Sequence, residues 1–76
     1  MATVNISDIR TLIANQLGAN GISDDQRIVE DLGAESADVA NIIAAVEDKY
    51  GISVPEDNIQ NLSTVRDVYM EVQKHV

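Results

Sequence analysis

Cysteine is absent from the sequence, so neither disulfides nor thiolate zinc sites can reinforce the fold. The 76 residues are enough for one domain, which we expect to span residues 1–76 around a single modest core. No apolar run approaches membrane-spanning length, and the first residues lack the basic stretch and apolar run of a secretion signal. We therefore expect a cytoplasmic protein that does not insert into a membrane.

Histidine is nearly absent as well, because His75 is the only one and lies in the last two residues, where termini tend to fray. A nucleophile–base pair of Ser36 and His75 would therefore rest on a poorly placed base. The four glycines fit neither of the common phosphate-binding patterns, and the acids lack the spacing of an EF-hand loop. With no catalytic residue and no metal site predicted, elimination leaves a non-catalytic binding or carrier module.

Basic residues are few, and thirteen acids against five bases give a formal net charge of −8. Residues 24–57 hold ten of the acids and two of the bases, so this middle segment carries the whole net charge. Such a field repels nucleic acids and anionic lipid surfaces and attracts proteins with basic patches. We expect protein partners and no nucleic acid, although an acidic surface also keeps small proteins soluble.

Three stretches repeat apolar residues at the spacing of an amphipathic helix. They are Ile9, Leu12, Ile13 and Leu17; Val39, Ile42, Ile43, Val46 and Tyr50; and Val65, Val68, Tyr69, Val72 and Val76. Pro55, before a short acidic run that contains Ile59, predicts one further helical turn. The predicted fold class is all-α: a small four-helix bundle with three main helices and one short helix.

The ends of these helices carry suitable capping residues. The predicted N-caps are Ser7, Ser36 and Thr64, and the predicted stops are Gly18 and Gly51. Asp67 completes a shortened capping box with Thr64. A long loop over residues 19–35 joins the first two helices, and we expect its own apolar side chains to pin it.

Ser36 is the most informative residue, because it lies between residues 30–35 of this loop and the long second helix. The start of a helix offers free backbone N–H groups and the positive end of the macrodipole. A phosphate joined to the Ser36 hydroxyl would be well placed there.

Residues 31–38, which contain Ser36, read DLGAESAD, and the short motifs VEDKYGI, VPED and TVRD follow along the chain. Together these motifs resemble those of the acyl carrier protein family. Residues 31–38 (DLGAESAD) are similar to the family's Asp-Leu-Gly-X-Asp-Ser-Leu-Asp signature, whose serine carries 4′-phosphopantetheine. Residues 46–52 (VEDKYGI) are similar to the end of the family's second helix, and VPED follows at 54–57. Residues 64–67 (TVRD) resemble the opening of the family's last helix. The four motifs are in register, and the resemblance covers almost the whole chain without an evident gap.

The resemblance implies that a phosphopantetheinyl transferase attaches the cofactor, which comes from coenzyme A, covalently to Ser36. The carrier would then hold acyl intermediates as thioesters in fatty acid or specialised acyl or polyketide biosynthesis. Its other partners would be acyl-transfer, ketosynthase or ligase enzymes with basic patches, and the chain would be a monomer.

Two neighbours of Ser36 depart from the family pattern, because Glu35 replaces the usual aspartate and Ala37 the usual leucine. The outer face of the second helix also has smaller residues than usual, such as Ala44. We infer a specialised carrier whose partners read a flatter and less charged helix. The predicted partner-recognition residues are Glu35, Ala37, Asp38, Asn41, Ala44, Glu47, Asp48 and Glu56.

The resemblance also implies an apolar pocket for the acyl chain. Its predicted residues are Ile28, Leu32, Ile42, Val46, Val54, Ile59, Leu62 and Val68. Two alternatives stay open from the sequence. One is an aminoacyl or peptidyl carrier, and the other is an unmodified interaction domain with the same bundle.

Overall fold

The computed structural model describes residues 3–76, which form four helices. They are α1 (Ile6–Leu17), α2 (Ser36–Tyr50), α3 (Glu56–Ile59) and α4 (Val65–His75). Residues 3–76 contain no strand, and a single isolated bridge joins Arg27 to Thr64. The all-α prediction of three main helices, one short helix and a long loop is confirmed.

The N-cap of the first helix lies two residues before the predicted cap, Ser7. Asn5, with extended backbone, precedes α1, and its carbonyl oxygen accepts a hydrogen bond of 3.0 Å from the Asp8 N–H. Ser7 already lies inside the helix, so its prediction as the N-cap is wrong. Ile6 is the first residue of the helix because the Asn5 carbonyl oxygen already accepts the first helical hydrogen bonds, from Asp8 and Ile9. Gly18 ends the helix as predicted, with a φ of 65° that suits glycine.

The core lies between α1, α2 and α4 and is aliphatic. Ile9, Ile13, Ile42 and Val46 are 0–1 % exposed, as expected for the inner stripes of amphipathic helices. Val65, Val68 and Val72 close the core from α4. Truncating one of the larger side chains to alanine would cost about 2–5 kcal/mol. The short helix α3 has no buried residue, so contacts outside the core must hold it in place.

Apolar side chains and backbone hydrogen bonds together pin the loop 19–35. Ile28 is buried in the core, and its N–H donates to the Ser63 carbonyl oxygen at 2.8 Å. The Arg66 N–H donates to the Asp24 carbonyl oxygen at 2.7 Å. The prediction that apolar residues pin this loop is confirmed. The start of α4 also supplies backbone hydrogen-bond partners, which the spacing of apolar residues does not predict.

Ion pairs fasten the same loop to both neighbouring helices. Arg10 on α1 pairs with Asp24, and Nε of Arg66 on α4 lies 2.9 Å from Oδ1 of Asp25. The hydrogen bond from the Arg66 guanidinium lowers the pKa of Asp25. Because the Arg66–Asp25 pair is largely exposed, it sets the position of the loop more than it adds stability.

Candidate functional site

A tight turn presents Ser36 at the start of α2. Backbone hydrogen bonds from Gly33 N–H to the Val29 carbonyl oxygen and from Ala34 N–H to the Ile28 carbonyl oxygen, each 3.1 Å, reverse the chain. Gly33 has a φ of 72°, in the left-handed region where a side chain would be strained. The Asp31 carboxylate braces the turn by accepting the Arg27 backbone N–H at 2.9 Å, which lowers the pKa of Asp31.

The cap of α2 lies one residue before the predicted position. Glu35 is the N-cap residue with extended backbone, and Ser36 is the first residue of the helix. The Asp38 Oδ2 atom accepts the Glu35 N–H at 3.0 Å and so satisfies one of the free donors. The prediction of Ser36 as the cap is therefore wrong by one residue. Its exposed hydroxyl stands at the positive end of α2 without being needed to cap it.

An open groove of about 920 Å³ runs from Ser36 between α2 and α3. This volume lies within the range of sites that take small organic ligands. Its apolar lining residues are Val29, Ala34, Val39, Ala40, Ile43, Ala44 and Ile59. Its polar lining residues are Glu35, Ser36, Glu47, Glu56 and Gln60. The one candidate attachment oxygen thus adjoins a mostly apolar channel.

The groove uses few of the residues predicted for an acyl pocket. Of the eight, Ile59 alone is among the lining residues given above. The fully packed ones are Ile28, Ile42, Val46, Val54 and Val68, which are 1–7 % exposed. Leu32 and Leu62 are half-buried and pack against the core. The five buried side chains would reach a ligand only if the core opened, and the role of all seven in an acyl pocket stays a prediction.

The groove instead uses Val39 and Ile43, which sequence reasoning assigned to the common apolar stripe of the second helix. Ile43 is buried but lies outside the main cluster of core residues. The apolar stripe of a helix is wide enough to face both the core and a neighbouring groove. The spacing of apolar residues therefore does not tell which of them pack into the core. Val29, at the turn before Ser36, also lines the groove, and about half of this large apolar side chain is accessible.

Most of the predicted recognition residues face solvent. The exposed ones are Glu35, Ala37, Asn41, Ala44, Asp48 and Glu56. Asp38 and Glu47 are half-buried, and each accepts a backbone N–H, at 3.0 Å for Asp38 and at 2.8 Å for Glu47. These two carboxylates therefore hold the backbone of the site in place and also contribute negative charge to it.

Cations do not neutralise the acids of α2 and α3. Within residues 3–76, the ion pairs of Arg10, Arg27, Arg66 and Lys74 all involve acids of the loop 19–35 or of α4. Lys49 instead lies over the ring of Tyr50, 5.8 Å from its centroid. The negative field around Ser36 therefore stays available to a basic partner.

In the part of the chain that the structure describes, no three histidine or acidic residues come together as metal ligands would. Across residues 3–76 no helix has the length and apolar character needed to cross a membrane.

Comparison with known proteins agrees with this geometry. The family model described as "Phosphopantetheine attachment site" matches residues 7–70, which include Ser36 and the groove. The chain belongs to the acyl carrier protein family. The cofactor of this family is 4′-phosphopantetheine, and a cofactor of this kind fits an exposed serine hydroxyl at a helix start beside an apolar groove.

Acyl carrier proteins of several bacteria are similar to this chain. That of Wolinella succinogenes is 37% identical over 71 residues, which are 88% of this chain and 93% of the relative. That of Chlamydia trachomatis serovar L2 is 34% identical over 70 residues, 90% of this chain and 91% of the relative. The solved acetyl actinorhodin acyl carrier protein of Streptomyces coelicolor shares 27% identity with a TM-score of 0.75, covering 97% of this chain and 93% of that one.

Proposed function

We propose that this chain is a non-catalytic acyl carrier, that residues 1–76 form one carrier domain, and that the Ser36 Oγ atom bears the 4′-phosphopantetheine. The observation that carries the proposal is the position of Ser36. Ser36 is the exposed first residue of α2, and it lines the groove between α2 and α3. The matched family segment, residues 7–70, surrounds it.

The start of α2 suits the phosphate of the cofactor. The first N–H groups of a helix lack partners inside the helix and attract an anion. The capping box between Glu35 and Asp38 satisfies the N–H groups of these two residues, so those of Ser36 and Ala37 are left to face a phosphate on Ser36. When bound, the cofactor supplies the thiol on which cargo is held as a thioester, which a chain without cysteine cannot supply itself.

The groove favours an acyl cargo over an aminoacyl or peptidyl one. Its floor and walls are largely aliphatic, with Val39 and Ile43 on α2 facing Ile59 on α3. Burying a methylene group against such a surface is worth about 0.8 kcal/mol. A fatty or polyketide-type chain gains from this burial, whereas a charged ammonium group has no such gain along an apolar wall.

The partners we propose are a phosphopantetheinyl transferase and acyl-transfer, ketosynthase or ligase enzymes with basic patches. The support is the set of acids on α2, its N-cap and α3 that have no cation partner within residues 3–76, among them Asp48, Glu35 and Glu56. Such charges speed the encounter with a positive surface. A monomeric, cytoplasmic carrier stays a prediction from the sequence.

Intact-mass measurement tests the attachment. The protein is incubated with coenzyme A and each of several phosphopantetheinyl transferases, including one from the chain's own genome. We expect the mass to rise by one phosphopantetheine, and we expect Ser36→Ala to abolish the gain. Ser53→Ala, which changes another exposed serine, is the matched control and should be modified like the wild type.

Failure of every transferase to modify the wild type would contradict the proposal and favour an unmodified interaction domain. Modification of the Ser36→Ala variant would contradict the assignment of the attachment oxygen. Ala37→Leu restores the usual family neighbour, so it should speed loading by a general-purpose transferase if the small residue limits recognition.

A further inference from the structure

Glu71 is a buried acid in α4 that no part of the proposed carrier function uses. It is 4 % exposed, whereas the other acids of the chain are exposed or half-buried. Its Oε2 atom accepts a hydrogen bond of 3.0 Å from the Asn58 side-chain amide and lies 2.8 Å from Nε2 of His75. Its Oε1 atom lies 3.6 Å from Nζ of Lys74.

These contacts keep Glu71 ionised and therefore a strong acceptor. Burying an isolated carboxylate is costly unless hydrogen bonds and opposite charges compensate it. The hydrogen bond from Asn58 is the largest influence and lowers the pKa of Glu71, and burial opposes it. Nε2 of His75 acts here as a second partner of the same oxygen.

Asn58 belongs to α3, and α3 has little else to hold it. The helix is a single turn of four residues and contributes none of its side chains to the buried core. A helix this short has no stability of its own. Within residues 3–76, the Asn58–Glu71 bond is the one side-chain hydrogen bond that joins α3 to α4. Yet α3 supplies Glu56 and Ile59 to the groove beside Ser36.

We propose that Glu71 is a positioning residue: through its hydrogen bond to Asn58 it holds α3 as one wall of the groove that adjoins Ser36. The use of that groove by cargo rests on the proposed carrier function, whereas the position of α3 does not. The charged and titratable groups around Glu71 are Lys74 and His75 on its own helix and Asp67, which borders the same small cavity; α3 contributes the neutral Asn58.

The position of α3 is tested on the unmodified protein by NMR amide exchange. The reporters are the N–H groups of Ile59 and Gln60, which donate to the carbonyl oxygens of Pro55 and Glu56. Glu71→Met and Asn58→Ala remove the bond from either side. We expect both to raise exchange at these amides about tenfold, equivalent to about 1.4 kcal/mol, while core amides of α1 are unchanged.

Two matched variants separate positioning from a general structural effect. Glu71→Gln keeps an oxygen that accepts the Asn58 amide, so exchange should stay within about twofold of wild type. Lys74→Ala removes an ion-pair partner of Glu71 without touching α3, and we expect no change at Ile59 and Gln60. Unchanged α3 exchange in Glu71→Met, or an equal rise in the α1 amides, would overturn the proposal. So would Glu71→Gln behaving like Glu71→Met.

A second measurement links the position of α3 to cargo. Wild type and variants are loaded with phosphopantetheine alone or with its octanoyl thioester, and the melting temperatures are compared. We expect the octanoyl group to stabilise the wild type and Glu71→Gln but to lose most of this effect in Glu71→Met and Asn58→Ala. Equal stabilisation in all four would overturn the link. If Ser36 accepts no cofactor, the carrier proposal fails, and the exchange data on the unmodified chain still decide the role of Glu71.

Discussion

Glu47 and Val54 are joined across the turn between α2 and α3. The Glu47 Oε2 atom accepts the Val54 backbone N–H at 2.8 Å, and Val54 is itself buried. A residue that the family resemblance assigns to partner recognition therefore also fixes the segment that leads into the groove wall. The Glu47 carboxylate therefore both lines the groove and anchors the segment that leads into α3.

Removing this carboxylate should weaken the fold. Glu47→Ala leaves the Val54 N–H without its acceptor, and we expect the free energy of unfolding to fall by about 1–2 kcal/mol, measured by urea denaturation. Glu47→Gln keeps an acceptor oxygen and should cost less. Asp48→Ala is the control, because Asp48 is exposed and adjacent. Equal stability of Glu47→Ala and Asp48→Ala would show that the bond contributes nothing.

The hydroxyl of Tyr50 is buried, and within residues 3–76 no group forms a hydrogen bond with it. Burial of this group raises the pKa of Tyr50, and nearby Asp8 adds to the effect. Because an unsatisfied buried hydroxyl costs about 1–3 kcal/mol, Tyr50→Phe should keep or raise the melting temperature. Tyr69→Phe provides the comparison. A clear loss of stability in Tyr50→Phe alone would mean that the hydroxyl has a partner.

Mutation can distinguish Thr64, the N-cap of α4, from Ser7, which is not the N-cap of α1. The Thr64 Oγ1 atom accepts the Asp67 N–H at 3.1 Å, and Asp67 accepts the Thr64 N–H at 3.0 Å. We expect Thr64→Ala to destabilise the protein by about 1 kcal/mol. Ser7 resembles a cap in sequence but lies inside α1, so Ser7→Ala should change stability by less than about 0.5 kcal/mol. Chemical denaturation of both variants makes the test, and a larger loss for Ser7→Ala would contradict the assigned start of α1.

Acid should destabilise the fold through carboxylates whose pKa is lowered. The pKa of Glu71 falls below its ordinary value of 4.5, chiefly through Asn58, and that of Asp67 falls below 3.8 through the Thr64 N–H. Groups with a lower pKa in the folded state stabilise it above their unfolded pKa and lose that contribution as the pH falls through the folded value. The urea concentration at the midpoint of unfolding should therefore fall as the pH is lowered below about 4.5.

Glu71→Gln isolates one of these groups. Its urea midpoint should depend less steeply on pH below about 4.5 than that of the wild type, because no carboxylate at position 71 takes up a proton. Identical slopes for the two proteins would show that Glu71 has the same pKa in both states.

The helices were predictable because their apolar residues repeat at helical spacing and two of them end at glycines with positive φ. The start of α2 was predictable only to within one residue, since Glu35 and Ser36 are both polar and either suits a cap. Glu71 follows Val68 by three residues and so shares its inner face, but a charge there reads as solvent-exposed. His75 is one helical turn away on α4, but Asn58, the other partner that compensates this burial, reaches Glu71 only in the folded chain.

The backbone bonds between the loop and the start of α4 bear on the order of events during synthesis. The turn before Ser36 is tied through Ile28 to Ser63, and through Asp24 to Arg66. Domains form as the chain emerges, but this turn lacks its partners until residues 63–66 have left the ribosome. A loading enzyme that requires the folded turn would therefore act on the chain only after translation has passed well beyond Ser36, and nascent chains would escape premature modification.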